Sequence, residues 1–287
     1  MTLPLDAHIG QVSLTVRDLS ISGRFYTDIL GFTETARDGQ SVTLAPPGGR
    51  VLIELHERKD AVPRPRRSTG LYHFAVLVPS RAALGRSLRR LSEKGWPLSG
   101  AADHLVSEAL YLSDPDGLGI EIYRDRPRDE WPVADGQLQM GSEPLDVAAL
   151  LNSLAARAAS ESDDDRLPRG TIVGHMHLHV SRLDQAERFY ADLLGLDVQQ
   201  RWGRAALFVS YDGYHHHVGL NTWQGVGAPQ PPPGAIGLRQ FELRVRDVDA
   251  LTERLARAGV PFTREAHGVL VADHSANHIL LVSETRG

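Results

Sequence analysis

Apolar and polar residues alternate along VSLTV, residues 12–16, and again along MHLHV, residues 176–180, the period-two pattern of a half-buried strand. Each run then switches to a helical period. LSISGRFYTDILGF follows the first and LDQAERFYADLLGL the second, with Phe-Tyr at the same place and a glycine where the helix must stop. A second pair repeats the switch more loosely: GLYHFAVLVPSRAALGRSLRRLSEKGWPLS from Gly70 and GLRQFELRVRDVDALTERLARAGVPFT from Gly237. Short β-type runs bounded by Gly or Asp come after each helix: SVTLAPP and RVLIELHE, ALYLSDPDGLGIEIY, ALFVSYDG and HHVGLNTW, HGVLVADH and HILLVSE.

The chain therefore reads as four β-α-β-β-β units over residues 8–60, 68–125, 170–224 and 235–284. By sequence they group into two domains, 8–126 and 170–284. The linker 127–169 carries one predicted helix over 144–158, and its SESDDD run reads as a solvated tether. The fold class expected is α+β, four modules curling into mixed sheets.

Composition narrows the chemistry. The 287 residues suffice for two domains, and a net charge of −5 supplies no basic surface, so no nucleic-acid partner is expected. No apolar run is long enough to span a membrane and the N-terminus has no signal-peptide pattern, so a cytoplasmic location is the expectation. Cysteine is absent, which leaves His, carboxylates and water as the ligands for any metal. Of the 13 histidines, seven fall in two tight groups or beside a repeated strand: His73, His175, His177, His179, His215, His216 and His217. In VGHMHLHV, the spacing i, i+2, i+4 puts His175, His177 and His179 on one strand face.

The repeats, with GHMHLHV, YHHHVGLN, GLYHF and DPDGLGIEIY, resemble the vicinal oxygen chelate superfamily of glyoxalase I, bleomycin and fosfomycin resistance proteins and type I extradiol dioxygenases. They are most similar to the bacterial two-domain catechol 2,3-dioxygenases. The resemblance implies that paired modules form a cup holding one metal, with ligands from the first strand of one module and the first and last strands of its partner. At those positions the chain has Gln11 and His175, His73 and Gln240, and Glu121 and Leu280. Units three and four contribute one ligand only. Units one and two offer Gln11, Glu54, His73 and Glu121, a glyoxalase-like set for a metal-dependent lyase or isomerase. Units two and three offer His73, His175 and Glu121, a 2-His-1-carboxylate facial triad that leaves positions open for a catecholate and dioxygen. The second set is preferred, and it requires the middle units to share a cup.

The same resemblance places the acid–base histidine at His216, a pocket tyrosine at Tyr111 and a supporting histidine at His104, with His177 and His215 expected in the substrate pocket. A neutral-pKa imidazole suits both proton removal from a diol and later proton return. The implied cofactor is Fe(II), with Mn(II) as the alternative ion, and the implied partners are a small aromatic diol and O2. A homo-oligomer is compatible with the sequence. The remaining alternative is a resistance-type protein that binds an aromatic drug without chemistry.

Overall fold

The computed structural model describes residues 8–155 and 166–284. The SESDDD run and the last residues of the predicted linker helix lie outside the described residues.

All four modules form with the expected element order. Module one comprises β1 (His8–Val16), α1 (Leu19–Arg24), β2 (Thr33–Arg37), β3 (Ser41–Ala45) and β4 (Ile53–Glu57). Module two comprises β5 (Gly70–Leu77), α2 (Arg81–Glu93), β6 (Gly100–Asp103), β7 (Ser107–Ser113) and β8 (Gly119–Asp125). The linker adds three two-residue strands, β9 (Val133–Ala134), β10 (Gln137–Leu138) and β11 (Glu143–Pro144), and α3 (Val147–Ala155). Module three comprises β12 (Ile172–His179), α4 (Leu183–Glu187), β13 (Asp197–Trp202), β14 (Ala206–Ser210) and β15 (Val218–Asn221). Module four comprises β16 (Gly237–Val245), α5 (Val248–Arg257), β17 (Phe262–Glu265), β18 (Gly268–Ala272) and β19 (His278–Ser283). The linker helix starts later than 144 because the Asp146 side chain caps it, accepting from the Ala149 N–H at 2.8 Å, while Pro144 is drawn into β11.

The two modules of each sequence half do not share a sheet. One sheet runs β17-β18-β19-β16-β1-β4-β3-β2 and joins modules one and four; the other runs β11-β6-β7-β8-β5-β12-β15-β14-β13 and joins modules two and three. The units that share a sheet are thus not 8–126 and 170–284, but the outer modules and the middle modules. The physical reason lies in the first strands, whose free edges meet across the halves: β5 pairs antiparallel with β12, and β1 with β16. This is the pairing that the triad assignment requires.

The two sheets are tied within each half through the helices. After α1 and α4 the chain widens into a π turn at Phe25–Ile29 and at Arg188–Leu193, where the Leu30 N–H reaches back to the Phe25 carbonyl. The extra residue per turn brings two consecutive aromatics inward, Phe25 with Tyr26 and Phe189 with Tyr190, all buried. Each such ring contributes roughly 1.5–3 kcal/mol of burial. Tyr26 also donates to Asp114 of module two at 3.3 Å and Tyr190 to Asp273 of module four at 3.1 Å. Helix-to-turn bonds therefore hold each half together while the strands exchange between halves.

Candidate metal centre

Strand register builds the site. Across the nine-stranded sheet, Tyr111 of β7 stands opposite Glu121 of β8, Glu121 opposite Ala75 of β5, and Ala75 opposite His175 of β12. These four share one row on one face, and the small Ala75 at its centre leaves space between Glu121 and His175. His73 lies two residues from Ala75, hence on the same face, and is paired with His177 in the next row.

Two irregularities in the β5–β12 pairing tune that face. Gly174 is an extra residue on β12 just before His175, and a Cβ there would sit 1.7 Å from the Tyr123 hydroxyl. Tyr72 is an extra residue on β5 just before His73. The second bulge lets consecutive residues reach the cup: the Tyr72 ring packs edge-on against His177 and Trp223, with centroids at 5.0 and 5.2 Å. Gly219, on the strand beside His177, is also committed, since a Cβ would meet the His177 ring at 3.0 Å.

His73, Glu121 and His175 each offer a ligand atom, and these atoms lie within 4.8 Å of one another in a buried group, the one such group found among the described residues. One Glu121 oxygen, Oε2, is 3.1 Å from His175 Nε2 and 3.0 Å from His73 Nε2. The His73 nitrogen makes no aligned hydrogen bond, so it is a buried polar atom without a partner. Two imidazole nitrogens converging on one carboxylate oxygen, with the His73 nitrogen left unsatisfied, fit a bound divalent cation better than a self-contained hydrogen-bond network. Electrostatics agree. Burial pushes the His175 imidazole down to about 4, despite the neighbouring Glu121, so the ring is neutral. Burial acts to raise Glu121, but the His175 and His73 imidazoles outweigh it and hold the carboxyl well below its ordinary range. Two imidazole nitrogens and one carboxylate are a donor set for a first-row divalent metal.

The triad forms the floor of a cavity of about 230 Å³. Its walls include Tyr72, His104, Tyr111, His177, Trp202, Phe208, His216 and Trp223, and residues 140–142 of the linker close one side. An apolar cavity near 150 Å³ takes up benzene, so about 230 Å³ accommodates one aromatic ring bearing hydroxyls. His177 presents a buried, unpartnered Nε2 beside it. His104 and Tyr111 are bonded to each other, Nε2 to hydroxyl at 2.5 Å, while His104 Nδ1 is 2.7 Å from the Gly141 carbonyl. The carbonyl can only accept, so Nδ1 donates to it, and a ring with its one proton there accepts the Tyr111 proton at Nε2. Burial raises the Tyr111 phenol well above its ordinary pKa, and the Glu121 charge adds to this.

The YHHHV run divides its duties. His216 lines the cavity with its ring 4.1 Å from that of His175. Burial, then the surrounding imidazoles, lowers its pKa well below the ordinary value and keeps it neutral. His215, expected in the pocket, does not line it: the ring is fully buried behind His216, where Asp125 holds it at 2.9 Å. His217 faces the other way and accepts from the Tyr211 N–H at 3.2 Å. His179 lies further along the β12 face, bonded to Asn221 at 2.7 Å.

The glyoxalase-like set is divided between the sheets. Gln11 and Glu54 lie on the eight-stranded sheet and bond each other at 2.9 Å, with Ser13 Oγ donating to the same Glu54 oxygen at 2.7 Å. They do not join His73 and Glu121. In that sheet Gln240 occupies the place of His73 and Glu242 that of Ala75, with Glu242 engaged by Arg244 at 2.7 Å.

Sequence comparison agrees with the fold. The model of the Glyoxalase/Bleomycin resistance protein/Dioxygenase superfamily matches residues 8–122 and 172–270. A Bacillus subtilis (strain 168) protein named catechol-2,3-dioxygenase is 44% identical over 277 residues, covering 93% of this chain and 94% of that one. Among solved structures, glyoxalase I from Zea mays aligns with a TM-score of 0.57 at 15% identity, over 96% of this chain and 92% of that one. The cppA protein of Streptococcus pneumoniae TIGR4 aligns with a TM-score of 0.57 at 12% identity, over 96% and 99%. The chain thus belongs to the glyoxalase/bleomycin resistance/dioxygenase, or vicinal oxygen chelate, superfamily.

Proposed function

We propose that this protein is an extradiol ring-cleaving dioxygenase that opens catechol or a substituted catechol with O2 at a mononuclear Fe(II) site, giving a 2-hydroxymuconate semialdehyde-type product. The observation that carries the reading is the buried convergence of His73, Glu121 and His175 at the floor of a ring-sized cavity. The relative named catechol-2,3-dioxygenase, similar over nearly the whole chain, points to the same reaction.

Iron(II) held by His73, His175 and Glu121 would supply Lewis-acidic, redox-active chemistry toward the diol and O2. The rest falls to the protein's own groups. His216, neutral and facing the cavity, takes a proton from one catechol hydroxyl: the O–H bond breaks, an N–H bond forms, and the imidazolium holds that proton for return to oxygen later in the turnover. Tyr111 stays a phenol, and with His104 it forms a hydrogen-bonding edge across the ring from His216. His177 offers a further polar contact at Nε2. Tyr72, Phe208 and Trp223 present ring faces and edges that favour a flat aromatic and exclude water.

The test is direct: protein loaded anaerobically with Fe(II) is mixed with catechol and O2, and absorbance and oxygen uptake are followed together. The expected result is a yellow ring-fission product with equimolar oxygen consumption. Fully metallated protein that consumes neither catechol nor O2 would overturn the proposal.

A further inference from the structure

Behind the cavity lies a chain of hydrogen bonds that the metal centre does not use. His216 Nδ1 and His215 Nδ1 are 2.8 Å apart, and His215 Nε2 is 2.9 Å from Asp125 Oδ1. Tyr214 donates to the same carboxylate at 3.1–3.2 Å, and its hydroxyl is 2.7 Å from that of Tyr123. Trp131 of the linker packs at a tilt against His215 with centroids 5.3 Å apart. His215 is fully buried, as is Tyr123.

Proton counting fixes the links into Asp125, and with one proton on the His215 ring it fixes the rest. A carboxylate accepts only, so His215 must donate from Nε2 and Tyr214 from its hydroxyl. The single Tyr214 proton being committed, Tyr123 donates to Tyr214. When the His215 ring carries one proton, that proton sits on Nε2 and leaves Nδ1 bare, so the proton in the Nδ1–Nδ1 contact belongs to His216. His216 is thereby fixed as the Nδ1–H tautomer, with its unprotonated Nε2 left for the cavity. From both sides, the donors point toward Asp125.

We infer that Asp125 and His215 are positioning residues that set the tautomer and orientation of His216, presenting Nε2 as the proton acceptor. The inference rests on the reading of His216 as the acid–base group. The arrangement follows the same logic as a carboxylate that orients an imidazole for a nucleophile, extended by one more ring. When Nε2 takes a hydroxyl proton, the Nδ1–H bond to His215 stays in place, and the new positive charge faces a chain ending in a carboxylate. The sequence placement makes the device compact. Asp125 lies four residues beyond Glu121 on β8, and His215 lies directly before His216, so one strand supplies both the metal carboxylate and the orienting one.

The experiment combines two readouts on the full chain. In protein labelled with ¹⁵N-histidine and left metal-free, the ring nitrogens of His216, assigned with His216→Gln, are expected to show a proton on Nδ1. Asp125→Ala is expected to mix or reverse that pattern, and Asp125→Asn, which keeps an oxygen for His215, to restore it. In the Fe(II)-loaded enzyme, Asp125→Ala and His215→Ala are expected to lower kcat about 10- to 100-fold with KM for catechol and iron content unchanged, and Asp125→Asn to recover most of the loss. An Nε2–H tautomer in the wild type, or an Asp125→Ala protein with the wild-type ring pattern, overturns the inference. If the wild type cleaves no catechol, the proposed function fails while the tautomer readout still decides the relay. If the wild type is active and both alanine variants keep full kcat, the relay fails and the function stands.

Discussion

Loss of a single triad residue should abolish the thermal stabilisation that metal confers. The metal-free protein buries unpartnered nitrogens at His73 Nε2, His175 Nδ1 and His177 Nε2. Each such atom costs about 1–3 kcal/mol, so a cation recovering some of them binds the folded state selectively. At a free metal concentration of about 100 times Kd, linkage stabilises the fold by about 2.7 kcal/mol. For a chain of this size that raises Tm by roughly 5–10 °C. His73→Ala leaves two of the three converging ligands. Losing an outer-shell partner of a ligand already costs about 10- to 100-fold in affinity, so losing a ligand should cost at least the upper figure. The same metal concentration then equals about one Kd, and the stabilisation falls to about 0.4 kcal/mol, near the limit of detection. Anaerobic differential scanning fluorimetry with and without Fe(II) measures this for wild type, His73→Ala, His175→Ala and Glu121→Gln. Variants that retain the full wild-type shift would refute the reasoning.

Other outcomes follow from particular contacts. Gln240→Ala and Glu54→Ala should leave the Fe(II) stoichiometry at the wild-type value, since both residues belong to the eight-stranded sheet; metal analysis after gel filtration checks this. Gly174→Ala places a Cβ 1.7 Å from the Tyr123 hydroxyl and must displace either that ring or His175. It should destabilise the fold by about 1–3 kcal/mol and weaken iron binding, read by denaturant titration and metal analysis; unchanged values would contradict the packing described. Burial raises the Asp114 carboxyl from 3.8 to about 7, so its folded pKa exceeds the unfolded one. The associated stability is fully present below about pH 4 and is lost as pH rises through about 7, a penalty on the order of 4 kcal/mol. Asp114→Asn keeps an oxygen for the Asp116 and Leu118 N–H groups and should flatten the decline in the denaturation midpoint between pH 5 and 8. An undiminished slope would argue against it.

Most of the fold was legible because period and turn chemistry repeat four times. The histidines at 175, 177 and 179 could be placed on one face because strand alternation is local. The cross-half pairing of the sheets is a long-range choice between strand edges, and only the ligand pattern hinted at it. Tyr72 was not foreseen, since alternation directs it away from His73 and only a bulge brings it back. Trp202 and Trp223 are plausible pocket lining by sequence, but a large aromatic is more often a core or cap residue, so the pattern alone favours the core. His215 was expected in the pocket because consecutive histidines at a strand entry cannot be oriented from spacing alone; its bond to Asp125 decides its direction. The linker looked like a polar tether, yet residues 140–142 wall the cavity through backbone contacts, which leave little trace in side-chain pattern.

The central claim is tested most directly by locating the metal. Crystals of protein loaded with Fe(II) should give one strong iron anomalous peak per chain, between His73 Nε2, His175 and the Glu121 carboxylate, with none near Gln11 and Glu54 of the eight-stranded sheet. An iron peak at that second sheet, or no peak at the triad in catalytically active crystals, would contradict the account.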